Sequence, residues 1–375
     1  MKILFLYQDI ISGSNISANS LIRQYQCFFP EDQSIVYRQK SHISTGSMSF
    51  FINLCWSIFD YWRVINRTSA DIIYSTVYTF ALAQHLSRRN RTPSVFHIHG
   101  DQTFTQTVKA SAIKNMYRSA VSIFVFWLQS FAVKKSTYLC HVSHEAMESF
   151  LQKYHLSDYT TKSVVVFNGV NTKIYHPVSI LIKNQLKKKY HCENKQIISY
   201  VGRIDEKKGI HEAVQSLRFI SNRKICLMIA HPVCDDKYSQ KYFKQISAVA
   251  KNLKKRLIFI ENPANISEIY QMSDCLVLPS KQEMAPLVVL EALSCGTMPL
   301  CTDVGNNKYV LRKLWKYSYL PSVNSKSIAK KINSFLSLPI RKKDSISKTC
   351  RSIAMGYSWE KSVFALRTVF QKITQ

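Results

Sequence analysis

At 375 residues the chain is longer than one hydrophobic core usually serves, and two domains are expected. Its 46% hydrophobic and 20% charged residues exclude a disordered or fibrous protein, and only nine glycines and ten prolines argue against long flexible linkers. The formal net charge of +28 favours anionic partners, whether phosphates, an acidic membrane face or nucleic acid, without choosing among them.

The N-terminal MKILFLYQD has one lysine and five apolar residues before Gln8. It is too short for a signal peptide and suits a buried strand over Ile3–Tyr7. The following Ile11-Ser12-Gly13-Ser14-Asn15 reads as a loop whose backbone N–H groups, Gly13 among them, can meet a phosphate. Further strands are expected at Ile72–Tyr74, Val95–Ile98, Tyr138–Val142 and Ser163–Phe167, each rich in β-branched or aromatic residues. The third of these five ends in Phe96-His97-Ile98-His99-Gly100-Asp101. Alternation sends both histidines to one side, and strand ends are where functional residues of such folds gather. Zinc ligation by this pair would need a third ligand, and none of fitting spacing is evident. A strand-end histidine is also an ordinary structural residue; His99 is singled out because Gly100 follows it.

Two stretches between these strands are unusually aromatic, Phe50 to Arg63 and Ser122 to Trp127. They suit either packing on the first sheet or an amphipathic contact with an anionic membrane surface. The longest apolar run, Val121–Val133, contains Gln129 and is shorter than the roughly 20 residues of a membrane span.

The pattern breaks at Asn168–Pro177, where Asn-Gly and a proline mark a domain seam. The charge is uneven about it: residues 1–167 hold 16 Lys and Arg against 9 Asp and Glu, leaving 35 against 14 beyond. Strands then recur at Ile197–Val201, Cys226–Ala230, Leu257–Ile260, Cys275–Leu278 and Met298–Cys301. Such alternation with helical segments predicts parallel sheets covered on both faces, here two Rossmann-like α/β domains facing across a cleft. Ten cysteines form no CxxC pair and no cluster of zinc spacing, so they read as reduced thiols of a cytosolic protein.

Two segments of the second half carry chemistry. In Ser199-Tyr200-Val201-Gly202-Arg203, running on to Lys208-Gly209, Gly202 lets the backbone approach a ligand and Arg203 offers a fork of donors to phosphate oxygens. Lys208 adds a point charge ahead of a helix; in a lysine-rich chain the segment also reads as a basic strand–helix turn. The block from Ser280 to Gly296 places Glu283 in a loop, Pro286 in the first turn of a helix, Glu291 inside it and Gly296 at its C-terminal cap. Carboxylates accept pairs of sugar hydroxyls, and helix N-termini present free N–H groups to anions. The block alone equally describes a solvated helix face. There is no Asp-x-Asp metal motif, so Arg203 and Lys208 are the cations available to meet a departing diphosphate.

Taken together, these residues resemble the retaining nucleotide-sugar glycosyltransferases of two-Rossmann-domain (GT-B) architecture, family 4, also known as glycosyl transferases group 1. The resemblance rests on Asn168-Gly169-Val170-Asn171, on Val201-Gly202-Arg203 to Lys208-Gly209, on Asp274 to Gly305 and on Ser358-Trp359-Glu360, in that order. The stretch from Asp235 to Leu257, with Tyr238 and Tyr242, is similar to lipopolysaccharide-core and capsule transferases. The resemblance implies an acceptor domain at 1–167, a donor domain at 168–356 and a final helix at 357–375 that returns to the first domain. It implies Arg203 and Lys208 on the diphosphate, Glu283 on the donor sugar, Glu291 on the ribose and His99 near the sugar. Gly13, Gly202 and the backbone of Met284, Ala285, Pro286 and Leu287 complete the donor site, with no metal and no cofactor.

The partners so implied are a nucleotide-sugar donor and a glycan or lipid-linked acceptor; the two aromatic stretches add an anionic membrane surface, and the lack of a familiar basic-aromatic recognition motif argues against nucleic acid. The location implied is cytoplasmic, at the inner face of the membrane, and the product a surface polysaccharide such as lipopolysaccharide or capsule. The chain departs from the family pattern at Phe167, where proline is usual, at Asn171 (often Asp), at Lys207 (commonly Glu) and at Met284-Ala285 (usually Gly-Phe). The last change reshapes the sugar pocket, so the resemblance does not name the donor. A nucleotide-sugar epimerase on the same architecture, or a non-catalytic partner of a glycosylation complex, is the alternative.

Overall fold

A computed structural model describes residues 1–9, 13–40, 47–99, 112–234, 236–250, 253 and 256–375. The chain forms two compact units, one of Met1–Asn168 with Trp359–Gln375 and one of Gly169–Ser358.

The first unit holds strands β1 (Lys2–Asp9), β2 (Gln33–Lys40), β3 (Ile72–Ser75), β4 (Ser94–Ile98), β5 (Tyr138–His141) and β6 (Ser163–Val165). Its helices before the seam are α1 (Gly13–Phe28), α2 (Ser47–Arg67), α3 (Thr79–His85), α4 (Ala112–Lys135) and α5 (His144–Lys153). The sheet is parallel, in the order β2-β1-β3-β4-β5-β6. Five strands match the apolar runs read from sequence; β2 was not among them. Its QSIVYRQK is mostly polar because the strand lies at the sheet edge and pairs on one side only.

The second unit holds α6 (Ile180–Lys189), β7 (Gln196–Val201), α7 (Ile210–Ser216), β8 (Ile225–His231), α8 (Lys237–Ala250), β9 (Leu257–Glu261), α9 (Ile266–Met272) and β10 (Cys275–Leu278). It continues with α10 (Leu287–Ser294), β11 (Met298–Cys301), α11 (Asn307–Val310), α12 (Trp315–Ser318), α13 (Ser325–Leu336) and α14 (Ile340–Met355). Its sheet is also parallel, in the order β11-β10-β7-β8-β9. Successive residues of each strand enter opposite cores. Ile198, Tyr200, Leu227 and Ile229 pack on one face, and Ile197, Val201, Cys226 and Met228 on the other. Burial on both faces is why these strands read as continuous apolar runs rather than alternating ones.

The final helix, α15 (Trp359–Thr374), belongs to the first unit. Its Phe370 ring lies 5.5 Å from Tyr25, 6.1 Å from Tyr74 and 6.2 Å from Phe5, centroid to centroid. Arg367 pairs with Glu31 at 2.7 Å and stacks over Phe29 at 4.1 Å. Among the described residues no helix is long and apolar enough to cross a membrane.

Candidate active site

In the second unit the strand order reverses between β7 and β10, since β7 is the unit's first strand yet lies between β8 and β10. Crevices at the carboxyl ends of strands beside such a reversal are where open α/β sheets bind ligands. The two chemistry-bearing segments leave the sheet there. Gly202 and Arg203 follow β7, and Pro279 to Glu283 follow β10.

Three contacts strap these loops together. Lys208 Nζ lies 2.6 Å from Glu283 Oε1, the N–H of Lys281 donates to the Lys207 carbonyl at 2.7 Å, and Gly209 abuts Pro279. Gly209 has φ +65°, and a Cβ there would lie 2.2 Å from the Pro279 carbonyl oxygen. Both the left-handed backbone and the close approach require glycine. Ser280 Oγ donates to the same Glu283 oxygen at 2.8 Å, so Oε1 has a cation and a hydroxyl converging on it. The Glu283 and Lys208 side chains retain only 10% and 22% of their exposure, so water screens the pair little. Below them, the N–H of Asn306 holds the Met284 carbonyl at 3.1 Å, and at Gly305 a Cβ would press on that same oxygen at 2.4 Å. A cavity of about 410 Å³ lies against this loop, lined by Ser280, Lys281, Thr302, Asp303 and the segment 319–323; neither Lys208 nor Glu283 lines it.

The other expected residues are placed differently. Arg203 is half exposed, with Asp205 3.8 Å away, while its carbonyl accepts from the Tyr200 hydroxyl at 3.1 Å. Tyr200 is fully buried and lies beneath Gly202, 3.6 Å from where a Cβ would stand. Burial pushes its pKa well up, the charges of Glu283 and Asp205 raise it further, and Arg203 acts the other way. Pro286 is the cap residue of α10 rather than part of its first turn, because its ψ of 119° is extended and the helix starts at Leu287. No side chain caps that end, and the Val289 N–H donates to the Pro286 carbonyl at 3.2 Å. Glu291 accepts from the Tyr270 hydroxyl at 2.7 Å. Burial raises its pKa, and hydrogen bonds from Tyr270 and Tyr175 draw it back. Tyr200, Ser280, Asn306, Tyr270 and Tyr175 were not picked out from sequence, where they look like ordinary strand, loop and helix residues. Tyr238 stacks on Tyr242 at 6.4 Å on α8 and donates to Glu206 at 3.4 Å; Asp235 lies outside the described residues.

In the first unit, Gly13, Ser14 and Asn15 belong to the first turn of α1 rather than to a loop, and Ile11 and Ser12 lie outside the described residues. His99 follows β4 directly, while Gly100 and Asp101 lie outside the description. The His97 and His99 rings are 4.1 Å apart, and Tyr74 bonds His97 Nδ1 at 2.7 Å. The remaining nitrogen of His97 and both nitrogens of His99 and of His141 on β5 are shielded and have no hydrogen-bond partner among the described residues. Desolvation holds all three neutral: it brings His99 and His141 down to about 4 and puts His97 well below its usual value. Among the described residues no three His, Cys, Asp or Glu are grouped so as to hold a metal ion.

This cluster has a consequence for acid stability. Unfolded histidine titrates near 6.5, above the folded values, so the unfolded chain binds more protons as pH falls from about 6.5 towards 4. Stability is therefore fully present above about pH 6.5 and declines below it, by roughly 2–3 kcal/mol per pH unit near pH 5 if two histidines contribute. Urea midpoints at a series of pH values measure that slope. His141→Gln should remove about one proton of it, and an unchanged slope in the variant would contradict the assignment.

The family described as "Glycosyl transferases group 1" matches residues 182–352, and "Glycosyltransferase Family 4" matches residues 22–174. The chain is 24% identical over 323 residues to the Escherichia coli UDP-Gal:alpha-D-GlcNAc-diphosphoundecaprenol alpha-1,3-galactosyltransferase, covering 84% of this chain and 78% of that protein. In fold it is similar to HepE from Anabaena, solved with UDP and glucose (TM-score 0.74, 16% identity, all of both chains). It is also similar to the lipopolysaccharide outer core galactosyltransferase WaaB in its apo form (TM-score 0.63, 14% identity, 99% of each chain).

Proposed function

Because this chain belongs to the group 1 glycosyl transferases, we propose that it moves a hexose or N-acetylhexosamine from a nucleotide diphosphate to a lipid-linked or growing surface glycan. The observation that carries the reading is the Lys208–Glu283 pair at the strand-order reversal of the second unit. A cation and a carboxylate in contact, little screened by water, suit a ligand that carries phosphate at one end and hydroxyls at the other.

In this reading the second unit binds the donor and the first the acceptor. Lys208 and the exposed fork of Arg203 take the diphosphate oxygens, and no metal takes part. Glu283 accepts from hydroxyls of the transferred sugar. Glu291, already held by Tyr270, accepts from the ribose, and His99, kept neutral, is assigned to the sugar. The backbone N–H groups of Met284, Ala285 and Leu287 and the backbone at Gly202 and Gly13 complete the phosphate cradle.

The bond from the anomeric carbon to the diphosphate oxygen breaks, and its electron pair moves to the phosphate that the two cations neutralise. The acceptor hydroxyl attacks from the same face and its proton passes to the leaving phosphate, which retains the anomeric configuration. Similarity to an enzyme whose name specifies a diphosphoundecaprenol-linked acceptor supports a lipid-linked acceptor here. In this reading the product is a lipopolysaccharide or capsule glycan, assembled at the inner membrane face.

A thermal-shift screen of UDP-, GDP- and ADP-sugars tests the donor side. One donor series should raise the melting temperature, and at 100 times its Kd should add about 2.7 kcal/mol of stability. EDTA should leave turnover unchanged. No shift with any donor, or isomerisation of the donor in the absence of acceptor, would overturn the reading.

A further inference from the structure

Helices α2, α3 and α4 of the first unit carry apolar side chains on the wrong face for a core. On α2, Leu54, Tyr61 and Ile65 are buried, as an amphipathic helix requires. Yet Ile52, Trp56, Phe59 and Trp62 recur at helical spacing on the outer face, and all are exposed, Trp56 by half. Their rings form a run, with Trp56 to Phe59 at 6.1 Å and Phe59 to Trp62 at 5.7 Å.

The outer face of α4 repeats the device. Phe124, Trp127 and Phe131 stack at 5.9 and 5.7 Å, and Ile123 beside them is 70% exposed. The end of α3 joins the two runs. Trp62 Nε1 donates to the Leu86 carbonyl at 3.1 Å, Leu86 itself is exposed, and His85 meets the Phe131 ring at 5.5 Å. Two stretches more than fifty residues apart in sequence thus make one apolar face.

Charge chooses the occupant. The ends of α2 and α4 and the turn after α3 carry the exposed cations Arg67, Arg88, Arg89, Lys134 and Lys135; the Arg88 backbone N–H donates to Asn66, one turn on from Trp62, at 2.9 Å, and Lys135 Nζ lies 5.9 Å from the Phe131 ring centre. Across α2, across α3 and its following turn to Pro93, and across α4, the sequence has one acidic residue, Asp60. It is buried and bonded to Tyr37 and Arg63. Tryptophan-rich apolar surface with a basic border and no acidic counterpart matches a bilayer interface with anionic headgroups.

We propose that this face, formed jointly by α2, the end of α3 and α4, docks the protein on an anionic lipid bilayer. The inference deepens the transferase reading, from which it takes only its purpose: bringing the site to a lipid-borne acceptor.

Flotation of the full chain with phosphatidylcholine vesicles, with and without phosphatidylglycerol, tests it. The protein should float with the anionic vesicles at low salt, be released as salt rises, and show a blue shift of tryptophan emission on binding. The triple variant Trp56→Gln/Phe59→Gln/Trp127→Gln should lose binding at least about ten-fold, with its melting temperature and its donor turnover on a water-soluble acceptor unchanged. The variant Arg88→Glu/Arg89→Glu should lose mainly the preference for anionic lipid. Three results would overturn the proposal: the parent chain left unfloated at low salt, the triple variant floating like the parent, or sedimentation showing a dimer that the triple variant dissociates. Donor turnover reads separately, so its absence alongside intact flotation would strike the transferase reading and leave the docking face standing.

Discussion

Replacing Lys208 by alanine should lower turnover by roughly 10²–10³, the scale of losing one charge-stabilising donor, or about 3–4 kcal/mol of transition-state stabilisation. The lysine lies 2.6 Å from Glu283, and each is largely withdrawn from solvent. Charge on the departing phosphate grows only as the glycosidic bond breaks, so the loss should fall on kcat more than on KM. Arg203→Ala should act in the same sense. Glu283→Ala should abolish transfer while nucleotide binding stays measurable, because Glu283 is assigned to the sugar and not to the diphosphate. If Lys208 and Glu283 act as a unit, the double variant should be little worse than the more damaging single one. Steady-state kinetics and nucleotide titration of the four variants check these points. Parent-like kcat in Lys208→Ala would remove the pair from the mechanism.

The second large effect is expected at a residue with no side chain. Gly209→Ala should cost about 2–4 kcal/mol of stability, combining a left-handed backbone that alanine disfavours with a backbone clash that cannot be relieved by turning a side chain. The carbonyl struck belongs to Pro279, the residue before Ser280 and four before Glu283. Relief of the clash must therefore part the two loops that present Lys208 and Glu283, and turnover should fall with stability. Urea unfolding and kinetics on the same preparation measure both. A variant as stable as the parent would show that the loops are not packed this closely.

The alternation of apolar runs makes ten of the eleven strands among the described residues legible, because a strand buried on both faces leaves a run that solvent-facing segments do not imitate. β2 escaped for the converse reason: at a sheet edge, its polar QSIVYRQK costs little. The chemistry-bearing segments were legible because a parallel sheet exposes function where strands end. What joins them was not. Lys208 and Glu283 are 75 positions apart, and their contact follows from β7 lying beside β10, a strand order that no local pattern encodes. Tyr200 and Asn306 were hidden because they act by packing and by a backbone amide, which any buried tyrosine or loop asparagine can supply. The first turn of α1 looks like a loop in sequence, since Gly-Ser-Asn is as much a turn sequence as a helix start.

Helix α15 brings an order of events to the making of this protein. The first unit needs Phe370 against Phe5, Tyr25 and Tyr74, yet a ribosome adds that phenylalanine only after the whole of the second unit. The second unit is one continuous stretch and has all its residues earlier. During synthesis the later-encoded unit is thus the first that can close completely, while residues 1–168 wait with an aromatic socket unfilled. A nascent chain stalled before residue 359 would carry that socket open to chaperones and proteases.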